Sequence, residues 1–211
     1  MLTKWSRVAL VAATMGLAAQ AQAQMAVTSR GQITNGSTYT WPNNLSANPF
    51  TVALGSVSMT VGSNASSWLS PCQAGNCWSG GFTTGDELLF GNGGTQYTFM
   101  FSQAISGFAT QAWYNSGGGA VTINSYLGNV NTGTFNFTTG GSSAANSNQA
   151  TVLGVLDNVG FDKLEITANG EFAMNQVTYD TNTVPEPTSV ALIALGLAGM
   201  GIAARRRRAT A

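Results

Sequence analysis

Four carboxylates are the side chains in this sequence best suited to chemistry: Asp86, Glu87, Asp157 and Asp162. A glycoside hydrolase needs two carboxyl groups flanking one glycosidic bond, about 5 to 10 Å apart. Asp86 and Glu87 are adjacent, so within a strand they point to opposite faces and cannot flank the same bond. Asp157 and Asp162 sit in and beside the loop Asp157-Asn-Val-Gly-Phe-Asp162, which would let them approach one another. The competing reading makes them solvated turn residues at strand ends, where an Asx side chain bonds its own backbone. The chain has no histidine. That excludes Ser-His-Asp and Cys-His catalysis and the usual zinc arrangements. Calcium is disfavoured as well, because it takes six or more oxygen ligands.

The cysteines and tryptophans offer other chemistry. Cys72 and Cys77 are the only cysteines, within Pro71-Cys-Gln-Ala-Gly-Asn-Cys-Trp78. In an oxidising compartment they form a disulfide closing a small loop, worth about 2 kcal/mol by the loop-entropy argument. Half of a metal site is the alternative, but no second pair of ligands accompanies them. Trp68 and Trp78 flank this loop and are candidates for stacking on a sugar. Trp41, Trp113 and Tyr114 could extend such a platform, against which stands burial in a core or packing on the crosslink.

The elements that position these residues read as strands. From Met25 to Ala168 glycine or Asn/Ser clusters interrupt each apolar run before a helical period is established. Phe50 to Val61 is rich in Val, Thr and Met and reads as one strand. Tyr97, Phe99 and Phe101 alternate with polar neighbours, as in a half-buried strand. Phe108 to Tyr114, Val121 to Leu127, Phe135 with Phe137, Val152 to Leu156 and Leu164 with Ile166 continue the pattern. In Phe172 to Tyr179 the inward parity changes, which a bulge near Asn175 would reconcile. Turns at Gly91-Asn-Gly-Gly94, Gly117-Gly-Gly119 and Gly140-Gly-Ser-Ser143 complete the set, and Ala144 to Ala150 reads as a polar loop. The expected fold is all-β, an antiparallel, jelly-roll-like β-sandwich.

Charge is distributed unevenly. The chain is formally neutral, yet between residues 24 and 183 only Arg30 and Lys163 are basic, against seven acidic residues, a net charge of −5. Nothing there can neutralise phosphates, so nucleic acid is excluded as a partner. The other basic residues lie at the two ends. Lys4 and Arg7 precede an apolar run from Val8 to Ala19 and the small-residue site Ala21-Gln-Ala23, which reads as a signal peptide over residues 1–23 for the general secretion machinery. At the far end Val184, Pro185, Glu186 and Pro187 form a stiff extended tether. An uncharged run over 189–204 follows, about 24 Å long as a helix against a hydrocarbon core of about 30 Å. Arg205, Arg206, Arg207 and Arg208 then hold the cytoplasmic side, placing all upstream residues across the membrane. An apolar core helix with a solvated basic tail is the competing reading.

This three-part end resembles the PEP-CTERM sorting signal of exosortase substrates, on Val184-Pro-Glu-Pro187, the apolar run and the four arginines. The resemblance implies that Pro185, Glu186 and Pro187 are recognition residues for a membrane-embedded protease. It also implies transient inner-membrane anchoring, release or transfer to the cell surface, and association with exopolysaccharide and biofilm. Residues 105–180 also resemble the β-sandwich passengers of such proteins, through Ile105-Ser-Gly-Phe108, Val152-Leu-Gly-Val155, Phe161 to Ile166 and Met174-Asn-Gln-Val-Thr-Tyr179. Where that family often carries Asp-Asn this chain has Asn175-Gln176, which removes the aspartate of any cation site built there. The expected organisation is a signal peptide (1–23), a passenger domain (24–183) and a sorting signal (184–211). The expected function is that of a non-enzymatic surface or matrix protein without a cofactor. A carbohydrate-binding module ranks second and a secreted glycoside hydrolase third.

Overall fold

The computed structural model describes residues 24–42, 48–64, 70–74, 78, 80–91, 96–141 and 149–181. The stretches read as signal peptide and sorting signal, together with Trp68 and Cys77, lie outside them. Residues Gln24–Thr183 form one compact unit. Among the described residues no helix is long and apolar enough to cross a membrane. The span expected over 189–204 is outside that set.

Eleven strands in antiparallel ladders build the unit: β1 (Met25–Val27), β2 (Ser37–Tyr39), β3 (Phe50–Leu54), β4 (Val57–Ser63), β5 (Ser70–Gln73), β6 (Glu87–Gly91), β7 (Gln96–Tyr114), β8 (Gly119–Leu127), β9 (Val130–Thr139), β10 (Thr151–Ala168) and β11 (Phe172–Asp180). One turn of 3₁₀ helix, Arg30–Gln32, is the only helical element among the described residues.

Two long strands make the sandwich. Near its start β7 pairs with β4 and with the end of β10, while its second half pairs with β11 and the start of β10. Between these halves the β7–β10 register shifts twice, between Leu156 and Phe161 and again before Lys163, and Gly160 takes a φ of 86°. Such irregularities bend a strand sharply. Phe99 and Phe108 of the same strand consequently face each other with ring centroids 5.0 Å apart. Nine residues of straight strand would separate them by about 30 Å. One layer is therefore β3-β4-β7-β10-β8-β9. The other contains β5, β6, β11 and the far halves of β7 and β10, with β1 and β2 at its margins.

The core fills the space between the layers. Met59, Tyr97, Phe99, Ile105, Phe108, Val121, Ile123, Leu153, Val155, Phe161, Leu164, Ile166 and Phe172 are all fully buried within it. The alternation expected at Tyr97, Phe99 and Phe101 holds, with Met100 turned outward at 49% exposure. The parity change in β11 is a bulge between Met174 and Val177. One expectation is corrected. Phe50 to Val61 is not a single strand but a hairpin, because Gly55, at φ 68°, turns β3 back onto β4.

Candidate functional site

Hydrolysis would depend on the carboxylates. Asp86 accepts the Thr83 N–H and the Asn175 side-chain amide, each at 3.0 Å. Glu87 opens β6 opposite Gln73. Asp157 is 1% exposed and accepts the Val159 N–H at 2.8 Å and the Gln24 side-chain amide. Asp162 accepts the Gly128 N–H with its two oxygens at 3.0 and 2.9 Å, tying β10 to the β8–β9 turn. Residues 157–162 are thus a strand corner rather than a loop, and Asp157 is a buried backbone anchor rather than a solvated turn residue. Among the described residues no three His, Cys, Asp or Glu side chains are grouped as metal ligands.

The aromatic platform is corrected more strongly. Trp78 is 4% exposed and packs with Phe82, Leu88, Trp113 and Ala173 in a satellite cluster. Phe90 lies against its ring at 6.0 Å. Trp41, Trp113 and Tyr114 are also buried, and the Trp41 indole N–H donates to the Asn175 carbonyl at 2.8 Å. None of these rings offers an open face to a sugar, since each covers apolar surface that water would otherwise wet. Trp68 lies outside the described residues, as does the Cys77 half of the Cys72–Cys77 pair.

Between two satellite clusters on the outside of the β11-containing layer runs a polar seam. Asn175 is 4% exposed at the β11 bulge and its amide reaches both Asp86 and Gln111. Arg30 donates to the Gln176 carbonyl at 2.9 Å. Burial lowers the Arg30 pKa and the attraction of Asp86 partly restores it. The seam satisfies the backbone groups that the bulge frees.

The outward face of the six-stranded layer differs in kind. Reading across strands, Thr60, Met100, Lys163 and Tyr126 stand in one row, and Gly62, Thr98, Glu165, Asn124 and Thr134 in the next. Gln96, Thr167, Thr122 and Asn136 form a third. Neighbouring side chains are bonded in pairs: Thr122 donates to Asn136 at 2.9 Å and Thr134 to Asn124 at 2.7 Å. The hydroxyls of Thr51 and Thr60 are 2.8 Å apart. Lys163 and Glu165 carry the charge on these rows. Lys163 lies 3.0 Å from Glu165 and 3.8 Å over the Tyr126 ring, and the Tyr126 hydroxyl donates to Glu165 at 2.8 Å. That hydrogen bond, with burial and the carboxylate charge, raises the Tyr126 pKa. Burial pushes the Glu165 pKa up, but the bonds from Tyr126 and Lys163 outweigh it and hold the carboxyl below its ordinary value. The sequence signal for this face is the polar half of each period-2 alternation.

Comparison with known proteins adds one firm finding. No curated protein matches the chain. Among solved structures it is similar to a mutant of the family 29 carbohydrate-binding module CBM29-2, at 12% identity over 79% of this chain and 95% of that one. The TM-score is 0.24, a superposition too weak to say that the two share a fold. Residues 183–208 match the family described as the PEP-CTERM protein-sorting motif. The chain carries a PEP-CTERM protein-sorting motif, the mark of proteins exported across the inner membrane and anchored or processed at the cell surface.

Proposed function

We propose that this protein is a non-enzymatic exosortase substrate whose β-sandwich is delivered to the cell surface to take part in the extracellular polymer matrix. The single observation behind this reading is the sorting motif at residues 183–208. In it residues 1–23 are a signal peptide for the general secretion machinery, and 189–204 form a transmembrane helix that anchors the chain transiently. Val184, Pro185, Glu186 and Pro187 are the recognition residues, and Arg205, Arg206, Arg207 and Arg208 hold the cytoplasmic end. Replacing Pro185, Glu186 and Pro187 together with alanine should leave an unprocessed precursor in the inner-membrane fraction. Normal trimming and surface delivery of that variant would refute the proposal.

A second reading, binding to neutral exopolysaccharide, shifts from the tryptophans to the outward face around Tyr126. Its Thr and Asn groups, set in fixed pairs, supply hydroxyl and amide partners on an almost uncharged surface. Retardation in gels containing the producer's own polysaccharide tests it, and retardation unaltered by Tyr126→Ala with Asn124→Ala would count against this face. Hydrolysis is not proposed, since Asp86, Asp157 and Asp162 are engaged in separate local bonds.

A further inference from the structure

The margins of the two layers are guarded unequally. β1 and β2 have three residues each, and β5 has four with Pro71 among them. β3 has five and is entered from Pro49. These are the ordinary protections of a sheet edge: brevity and proline. β9 has neither. Its ten residues, Val-Asn-Thr-Gly-Thr-Phe-Asn-Phe-Thr-Thr, contain no charge and no proline, and among the described residues its only strand partner is β8. Its ends are tied to the fold. A Cβ at Gly133 would meet the Gln24 side-chain oxygen at 1.7 Å, and Thr139 donates to the Ala112 carbonyl at 2.8 Å. Among the described residues the stretch between these ties, Thr134 to Thr138, has its outer edge open, and an open strand edge presents unpaired N–H and C=O groups.

We infer that this stretch is a self-association edge, on which the same stretch of a second copy of the chain pairs antiparallel about a two-fold axis through Asn136. Its sequence is symmetric in kind about that residue. Thr134 falls opposite Thr138 of the partner and Phe135 opposite Phe137, and Asn136 meets itself. The faces agree as well. Thr134, Asn136 and Thr138 are exposed on the outward side, while Phe137 is 8% exposed inward and Phe135 is partly buried against the core. Pairing would cover the exposed part of Phe135 with the partner's Phe137, a cross-strand aromatic contact of the stabilising kind. The charge pattern points to a second copy rather than a basic or acidic partner. Two domains of net charge −5 repel overall, yet this edge brings no charged side chain against its equal. Five residue pairs make a small contact beside a standard interface of about 1,600 Å². The dimer is therefore weak in free solution and favoured where copies are crowded on a surface.

Hydrogen exchange and sedimentation of the protein as purified from the producing cells, across a wide concentration range, test this. The expected result is a reversible monomer–dimer equilibrium, with slowed amide exchange on dimerisation confined to residues 134–138. Asn136→Lys places like charges across the axis and should weaken the dimer at least ~10-fold, while Asn136→Gln should leave it within about 3-fold. Both substitutions are at an exposed position, and an unchanged thermal midpoint checks that each variant is folded. A monomer at every concentration, protection at another segment, or a dimer insensitive to Asn136→Lys would each overturn the inference.

Discussion

Trp113 lies between two glycines. A Cβ at Gly81 would come within 2.3 Å of its indole, and one at Gly140 within 2.4 Å. Gly81 also has a φ of 74°, where an L side chain costs about 1 to 2 kcal/mol. Gly81→Ala therefore combines strain with overpacking and should destabilise by about 3 kcal/mol or more in urea unfolding. Gly55, at φ 68° with nothing within 4 Å of its Cβ position, isolates the first effect. Gly55→Ala should cost only about 1 to 2 kcal/mol, and equal costs at the two sites would refute the packing account. At position 113 the sequence left a sugar platform and core burial both open, and it could not say in which core a buried ring would sit. Trp113 packs in the satellite cluster, because neighbours on β7 alternate faces and Ala112 already points to the main core. Glu165 and Tyr126 give a residue-level pH dependence. The folded pKa of Glu165 is depressed, so its contribution is present above the ordinary carboxylate range and lost as pH falls through the folded value. The folded pKa of Tyr126 is raised, so its contribution is complete below the ordinary tyrosine range and lost as pH rises through the folded value. Glu165→Gln should abolish the acid limb without altering stability far below it. A persistent acid limb of the same size would assign it to another carboxylate.

At the scale of elements, the most legible features were alternations and the least legible were continuities. Phe99 and Phe101 were visible as one strand and Phe108 to Tyr114 as another, although both belong to β7. Inward residues are odd-numbered to Ile105 and even-numbered from Phe108. In β10 they are odd-numbered to Phe161 and even-numbered from Leu164. A local period cannot distinguish two strands from one bent strand, because the bend itself breaks the period. The β11 bulge did show as a parity change, but its purpose did not. Only the fold brings Asp86 and Gln111 to Asn175. That arrangement accounts for the amide at this position. Asn175→Asp would set a second carboxylate where the amide lies 3.0 Å from Asp86. Two such carboxylates cannot both ionise cheaply, so the pair's folded pKa values rise above their unfolded ones. The variant should lose about 2 to 3 kcal/mol at neutral pH and regain part of it on acidification. A loss independent of pH would mean that hydrogen-bond geometry, not charge, selects the amide.

For the molecule as a whole, composition spoke most plainly about the C-terminal end, since a sorting motif is carried by charge and hydropathy rather than by packing. The outward Thr/Asn face was invisible as a unit, because its members come from six strands that only the ladder registers align. The uneven placement of charge permits a test of processing that needs no structure. The untrimmed chain is formally neutral with an isoelectric point near 6.1. Removal of residues 1–23 alone takes away Lys4 and Arg7 and leaves a net charge of −2. Removal of 184–211 alone takes away Glu186 and the four arginines and leaves −3. Loss of both ends leaves −5, with Arg30 and Lys163 against seven carboxylates. With so few cations, balance is reached only when most of the carboxyls are protonated, at about pH 4. Isoelectric focusing of the surface fraction should therefore show a species about two units more acidic than the precursor. A species focusing between the two, as the −2 chain would, means that the arginines remain and that the chain reaches the surface without losing its sorting signal.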